Sequence, residues 1–226
     1  VLFDMDGVVI DTQLAVTELW ERVAAQYQVE LTQADFDTHI YGCPCAQTLD
    51  ALFPHLSEDE RAAVFAEEYA YETSLTYTPM SGVGDFLRAL HENGVPTALV
   101  TSGERWKVAE VMRQIGIGNL FNAYVTAEDI PRGKPDPACY VLGAERLGVS
   151  TDRCIVFEDS ISGVQAAIAA GMQCVGVRPT RMASALLAEG ASWVIPHFES
   201  VRLEHGENSA LAVHLMPDVT LWLNGH

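Results

Sequence analysis

Val1-Leu2-Phe3-Asp4-Met5-Asp6-Gly7-Val8-Val9-Ile10-Asp11-Thr12 is the stretch that decides the fold. Asp4 and Asp6 sit two apart at the end of a short apolar run. A strand alternates its side chains with a period of two, so both acids would lean to one side if the strand continued. Gly7 argues that it stops, because glycine here marks a turn or a close backbone approach. The expected picture is a buried strand that ends and presents two carboxylates. In open α/β sheets, ligand sites lie at the carboxyl ends of the strands.

Two like charges this close raise each other's pKa unless a cation lies between them. Three readings follow: one acid serves as a general acid, the pair holds a hard metal through oxygen, or both are true with one acid as nucleophile. Two solvated acids in a surface turn fit poorly, because Leu2-Phe3 and Val8-Val9-Ile10 flank them. An EF-hand loop needs Gly sixth, after acids or Asn at its first, third and fifth positions; counted from Asp4, Gly7 comes fourth.

Working outward, 226 residues with 49% hydrophobic and 19% charged residues suit an ordinary globular chain. No apolar run is long enough to span a bilayer. The chain opens inside a strand, without Met and without a signal peptide ahead of it, so a few leading residues are expected to precede it. A net charge of −18 disfavours nucleic acid and anionic membranes as partners. An anionic substrate would need local positive charge from a metal, a lysine or helix N-termini. Five scattered cysteines, Cys154 and Cys174 among them in apolar runs, point to free thiols in a reducing cytoplasm. Cys43-Pro44-Cys45 near His39 is weighed as a zinc site and set behind ordinary packing.

Residues 13–77 read as helical. Leu14, Thr17, Leu19, Val23 and Tyr27 recur near helical spacing. Thr32 caps a second helix through Ala34, Phe36 and Ile40. A third runs from Ala46 to Phe53, and Ser57 with Glu60 forms a capping box for a fourth reaching Ser74. From Thr78 onward short apolar strands alternate with helices, which implies a parallel sheet covered on both faces. The expected fold class is a doubly wound, Rossmann-like α/β core over residues 1–12 and 79–226, with a helical cap domain inserted at 13–78. In the tail, Ala210–Leu215 and Val219–Leu223 around Pro217-Asp218 read as a hairpin at a sheet edge, with no functional reading. Oligomeric state is not legible.

Four strand ends carry polar groups: Asp4 and Asp6, then Thr101-Ser102, Lys134 in its turn, and Glu158-Asp159. In a parallel sheet these ends face one way, so the groups can converge. Clustered acids want a divalent cation, and Mg²⁺ binds through a few carboxylates plus phosphate. A hydroxyl, a lysine and loop N–H groups suit the remaining phosphoryl oxygens.

Asp4-x-Asp6-Gly7-Val8, Thr101-Ser102-Gly103, Gly133-Lys134-Pro135-Asp136-Pro137 and Glu158-Asp159-Ser160-x-x-Gly163, in that order, resemble the haloacid dehalogenase superfamily. The likeness is to its phosphatase and β-phosphoglucomutase-like branch with a helical cap, and it spans residues 1–196. The resemblance implies that Asp4 attacks phosphorus and forms an aspartyl-phosphate. Asp6 would protonate the leaving oxygen and then take a proton from water. Thr101 and Lys134 would bind the phosphoryl oxygens, with main-chain contacts from Ser102 and Gly103. Mg²⁺ would be held by Asp4, the Asp6 carbonyl and Asp159, with Glu158 as a further ligand or a support behind the others.

The implied activity is Mg²⁺-dependent hydrolysis of a small phosphorylated metabolite, such as a sugar phosphate. Two rivals stand behind it: a phosphoglucomutase-like isomerase, and a non-catalytic binding protein on the same fold. Mutase members carry a His after the Asp-Thr and a cap Arg after Gly-x-Ser; this chain has Gln13-Leu14-Ala15-Val16 and Cys45. Phosphonate-cleaving relatives use a cap lysine, and residues 13–77 contain none. Asp6 argues against dehalogenation, which has no leaving oxygen to protonate.

Overall fold

The computed structural model describes residues 1–179, 183–206 and 210–223. Six parallel strands form the main sheet: β1 (Leu2–Phe3), β2 (Ala98–Val100), β3 (Ala123–Val125), β4 (Ile155–Glu158), β5 (Gln173–Val177) and β6 (Trp193–Ile195). Their spatial order is β3-β2-β1-β4-β5-β6, so β1 lies inside, hydrogen-bonded to both β2 and β4. Helices α5 (Val83–Glu92), α6 (Arg105–Ile115), α7 (Ala138–Leu147), α8 (Ile161–Ala169) and α9 (Ala183–Ala188) connect or flank the strands.

Strand alternation sorts the core into two layers. Phe3, Leu99, Phe157 and Val175 join Phe86 and Leu90 of α5 and Val111 of α6 on one face. Leu2, Val100, Val156 and Cys174 join Tyr140 of α7, Val164 of α8 and Leu186 of α9 on the other. Phe3 stacks on Phe157, with ring centroids 5.1 Å apart. Both faces are dry, which is why these strands read as continuous apolar runs. The expected doubly wound parallel sheet is what the chain forms.

Between β1 and α5 lie α1 (Gln13–Gln26), the short α2 (Gln33–Asp35), a π-helical turn at Phe36–Ile40, α3 (Cys45–Leu52) and α4 (Glu58–Ser74). They share a hydrophobic cluster of their own, built on Leu19, Trp20, Val23, Leu49, Phe53 and Val64. Leu14, named above among the residues recurring near helical spacing, is 77% exposed; the buried stripe runs through Leu19, Trp20, Val23 and Ala24. The Ser57–Glu60 capping box forms with both of its hydrogen bonds. Thr32 also caps its helix, but through a box with Asp35, and the continuous helix expected there changes to π geometry after three residues. The helices leave and rejoin the core side by side: Asp11 N donates to Thr78 O at 3.0 Å and Met80 N to Val9 O at 2.9 Å.

The tail corrects one expectation. The hairpin exists, as β8 (Leu211–Met216) and β9 (Val219–Leu223), but it does not extend the main sheet. With β7 (Arg202–His205), unforeseen in the sequence, it makes a separate three-stranded antiparallel sheet. Val213, Leu215 and Leu221 bury one face of it against the same cluster as α5.

Candidate active site

Strand β1 hands the chain to Asp4, whose N–H donates to Phe157 O at 3.0 Å and continues the ladder. Three residues on, Gly7 turns the chain at φ +74°, and any Cβ there would overlap the Asp159 carboxylate. Glycine is needed twice over, for the turn and for the close approach. At the end of β4, Ser160 caps α8 by accepting from Gly163 N at 3.0 Å. A Cβ on Gly163 would overlap the Glu158 carboxylate, so Gly163 lets the helix start directly above that acid.

The strand ends converge as expected. Lys134 Nζ donates to Asp4 Oδ1 at 2.6 Å and to Glu158 Oε1 at 2.5 Å, and all three side chains are buried. Tyr140 OH donates to Glu158 Oε1 at 3.1 Å. Glu158 Oε2 accepts from Ser160 N at 2.7 Å and from Ser160 Oγ at 2.9 Å. Both oxygens of Glu158 are therefore engaged. Asp159 differs: it is nine-tenths buried and its Oδ1 has no hydrogen-bond partner. Asp4, Glu158 and Asp159 bring carboxylate oxygens within 4.8 Å of one another. Among the described residues this is the one grouping of metal-ligating side chains, and Cys43, Cys45 and His39 form none.

Burial pushes the Asp4 carboxyl up to about 7; the Lys134 ammonium pulls it back and Glu158 pushes it further up. Burial, then Glu158, raise Asp159 well above the usual carboxylate range, with Arg178 opposing. Burial depresses Lys134, but Asp4 and Glu158 outweigh it and hold the ammonium above the ordinary lysine range. Dry carboxylates, one with an orphaned oxygen, are a donor set that fits a hard divalent cation, and the Lys134 ammonium offsets only part of their charge.

Above these acids lies a cavity of about 460 Å³, lined by Asp4, Asp6, Thr101, Ser102 and Asp159 from the strand ends. Its roof comes from α1, the turn at Tyr41–Pro44, α3 and α4. Thr101 is buried and its Oγ1 accepts from Gly103 N at 2.9 Å, which leaves the hydroxyl proton free to donate. Ser102 is half-buried on the cavity wall. Lys134 lies beneath Asp4, outside the lining.

The sequence missed Lys107. It stands in the first turn of α6, buried, with Nζ 3.1 Å from Asp6 Oδ1 as an ion pair lacking hydrogen-bond geometry, and 2.5 Å from Glu72 Oε1 of α4. Burial pulls this ammonium down, but Asp6 and Glu72 outweigh it and hold it above the usual lysine range. The available signal was position: a helix that starts just past a strand end aims its first turn back at that end. Arg178, following β5, was missed as well. It donates to Asp37 Oδ1 at 2.8 Å and lies 5.0 Å from the Tyr41 ring, tying the core to the helices.

The chain matches the haloacid dehalogenase-like hydrolase family over residues 1–177. It is 32% identical over 197 residues to a phosphorylated carbohydrates phosphatase of Thermotoga maritima, covering 84% of this chain and 91% of that protein. It is 34% identical over 178 residues to hexitol phosphatase A of Escherichia coli, covering 78% and 81%. A Deinococcus radiodurans hydrolase of the family, solved with bound phosphate and sodium, superposes with a TM-score of 0.65 at 29% identity, covering 86% of this chain and 89% of that one. No helix among the described residues is long and apolar enough to cross a membrane. With the converging strand ends and a family match over more than three-quarters of its length, the chain belongs to the haloacid dehalogenase-like hydrolases.

Proposed function

We propose that this enzyme hydrolyses a small phosphorylated metabolite, a sugar or polyol phosphate, with Mg²⁺ beside an aspartate nucleophile. The observation that carries the reading is Asp4: a buried carboxylate 2.6 Å from Lys134 Nζ on the floor of a cavity that opens onto Asp6. Asp4 attacks phosphorus, the bond to the leaving oxygen breaks, and an aspartyl-phosphate remains. Asp6 gives its proton to the leaving alcohol. It then takes a proton from the water that attacks the aspartyl-phosphate, which releases inorganic phosphate and restores Asp4. Thr101 Oγ1, the loop N–H at Ser102, and Lys134 neutralise or bind the phosphoryl oxygens, while the Gly103 N–H holds Thr101 Oγ1 in place.

Asp4, Asp159 and the Asp6 carbonyl would hold the Mg²⁺, which when bound neutralises charge on the phosphoryl group. Glu158, with both oxygens engaged, holds Lys134 in place behind them. We read residues 13–78 as a cap that closes over the substrate, and residues 1–12 with 79–226 as the catalytic core. The separate hydrophobic cluster of the helices and the hydrogen-bonded segments where they leave and rejoin the core support that division. Five unpaired cysteines support a cytoplasmic setting.

The relatives' names, a carbohydrate phosphatase and a hexitol phosphatase, support the substrate class. The isomerase reading draws no support from the cavity, where the stretch Gln13–Val16 brings no His and Cys45 stands where the resemblance places the mutases' Arg. Phosphate release from a panel of sugar, polyol and glycerol phosphates, with Mg²⁺ and with chelator, tests the proposal. Release that chelation abolishes is expected. Silence across the panel in the presence of Mg²⁺ overturns it, and conversion of a sugar 1-phosphate without free phosphate replaces it with the isomerase.

A further inference from the structure

The part of the cavity away from Asp4, where the leaving group would sit, has an unusual charge. Helix α4 presents Phe65, Glu68, Tyr69 and Glu72 to it, at helical spacings of three, four and seven. The core answers with Glu104, Trp106 and Lys107. Among the described residues Lys107 is the one cation in the lining, and its ammonium is already shared between Asp6 and Glu72. Glu68 and Glu104 thus have no cation of their own within the lining among the described residues. Glu104 accepts from Trp106 Nε1 at 2.6 Å, which turns the indole toward Tyr69; their ring centroids lie 4.8 Å apart across the opening. Phe65 and Tyr69 remain 41% and 56% exposed, large apolar surfaces facing open space. At the floor of the same cavity the unpartnered Oδ1 of Asp159 marks it as a place that takes a charged ligand.

Carboxylates accept hydrogen bonds from hydroxyl and ammonium groups and repel anions. Aromatic faces cover C–H surface or a cation. We infer that Glu68 and Glu104 are specificity-determining residues, selecting a leaving group that bears an ammonium over its neutral polyol isostere and rejecting one that bears a second anion. The inference rests on the phosphatase reading and deepens it. Burial and the charges of Glu72 and Glu104 push Glu68 up, against the hydrogen bond from Cys45 and the more distant Lys107 ammonium. That is the strain expected of an acid whose counter-charge arrives with the substrate.

The test compares kcat/KM, with Mg²⁺, for glucosamine 6-phosphate, glucose 6-phosphate and 6-phosphogluconate, with p-nitrophenyl phosphate as an uncharged-leaving-group control. The expected order is ammonium above neutral by about threefold or more, and anionic below neutral by about tenfold or more. In Glu68→Gln and Glu104→Gln, singly and together, the spread among the three sugars should shrink at least threefold. The ratio reads charge selection even where a variant lowers overall turnover. Turnover with a flat or reversed charge order, or an order that survives the double substitution, overturns the inference and leaves the phosphatase reading standing. No phosphate from any substrate, the control included, overturns both.

Discussion

Lys107 of the core and Glu72 of helix α4 meet with Nζ 2.5 Å from Oε1, and the same ammonium lies 3.1 Å from Asp6. One side chain therefore joins the helices over the cavity to the acid proposed to move the proton. Removing it leaves two carboxylates, 20% and 26% exposed, facing each other across the same gap. Lys107→Met should cost about 2 kcal/mol of stability, below the range for a fully buried pair because both acids keep some solvent. Urea unfolding reads this, and kcat/KM measured beside it should fall because the helices are less firmly held over Asp6.

Asp4→Asn removes the proposed nucleophile and keeps the side chain's size. Lys134 retains Glu158 as a partner, so the protein should stay folded, with little change in its urea midpoint. Phosphate release should fall by about a thousandfold or more, the scale of losing a covalent nucleophile that works with an acid–base partner. A mutant that keeps a tenth of the activity would remove Asp4 from that role.

Glu68 should shape stability against pH. Its carboxyl stands at about 7 in the folded protein against 4.5 for the free side chain, through burial first and then, after the opposing Cys45 hydrogen bond, the neighbouring carboxylates. The folded state then holds more protons than the unfolded one between those values. Stability attributable to this group is full below about 4.5 and is lost as pH rises through about 7. Glu68→Gln should remove that slope and stabilise the protein at pH 8 by on the order of 2 kcal/mol. Thermal or urea unfolding from pH 5 to 8, wild type against variant, checks the sign.

Gly163→Ala would ordinarily favour a helix by about 1 kcal/mol. Here the added Cβ collides with Glu158, which cannot retreat while it holds Lys134, Tyr140 and Ser160. A loss of about 1–3 kcal/mol is expected. Turnover should fall with it, because displacing Glu158 disturbs Lys134 under Asp4. Circular dichroism melting and the phosphate assay together read both effects.

The strand ends were legible because their signals are local. Asp4, Asp6 and Gly7 occupy one turn, Glu158 and Asp159 end one apolar run, and Ser57 with Glu60 cap one helix, so neighbours a few residues apart carry the message. The π-helical turn at Phe36–Ile40 escaped because Phe36 and Ile40 fit an α-helical stripe equally well; packing against Tyr41 and the helical cluster decides between them. Strand β7 escaped because Arg202–His205 is mostly polar and exposed, and pairs only once β8 lies beside it.

By itself the sequence determined the alternation of strands and helices, the acids at the strand ends, and the turn glycines that let them approach. Those follow from period, backbone dihedral and capping, all short-range properties. The tertiary structure alone decided that Lys107 pairs with Asp6 and Glu72, that Arg178 reaches Asp37, and that Glu68 and Glu104 share one cavity. Each of those relations joins residues far apart in the chain, and the charge of a cavity belongs to whichever side chains the fold brings to its walls.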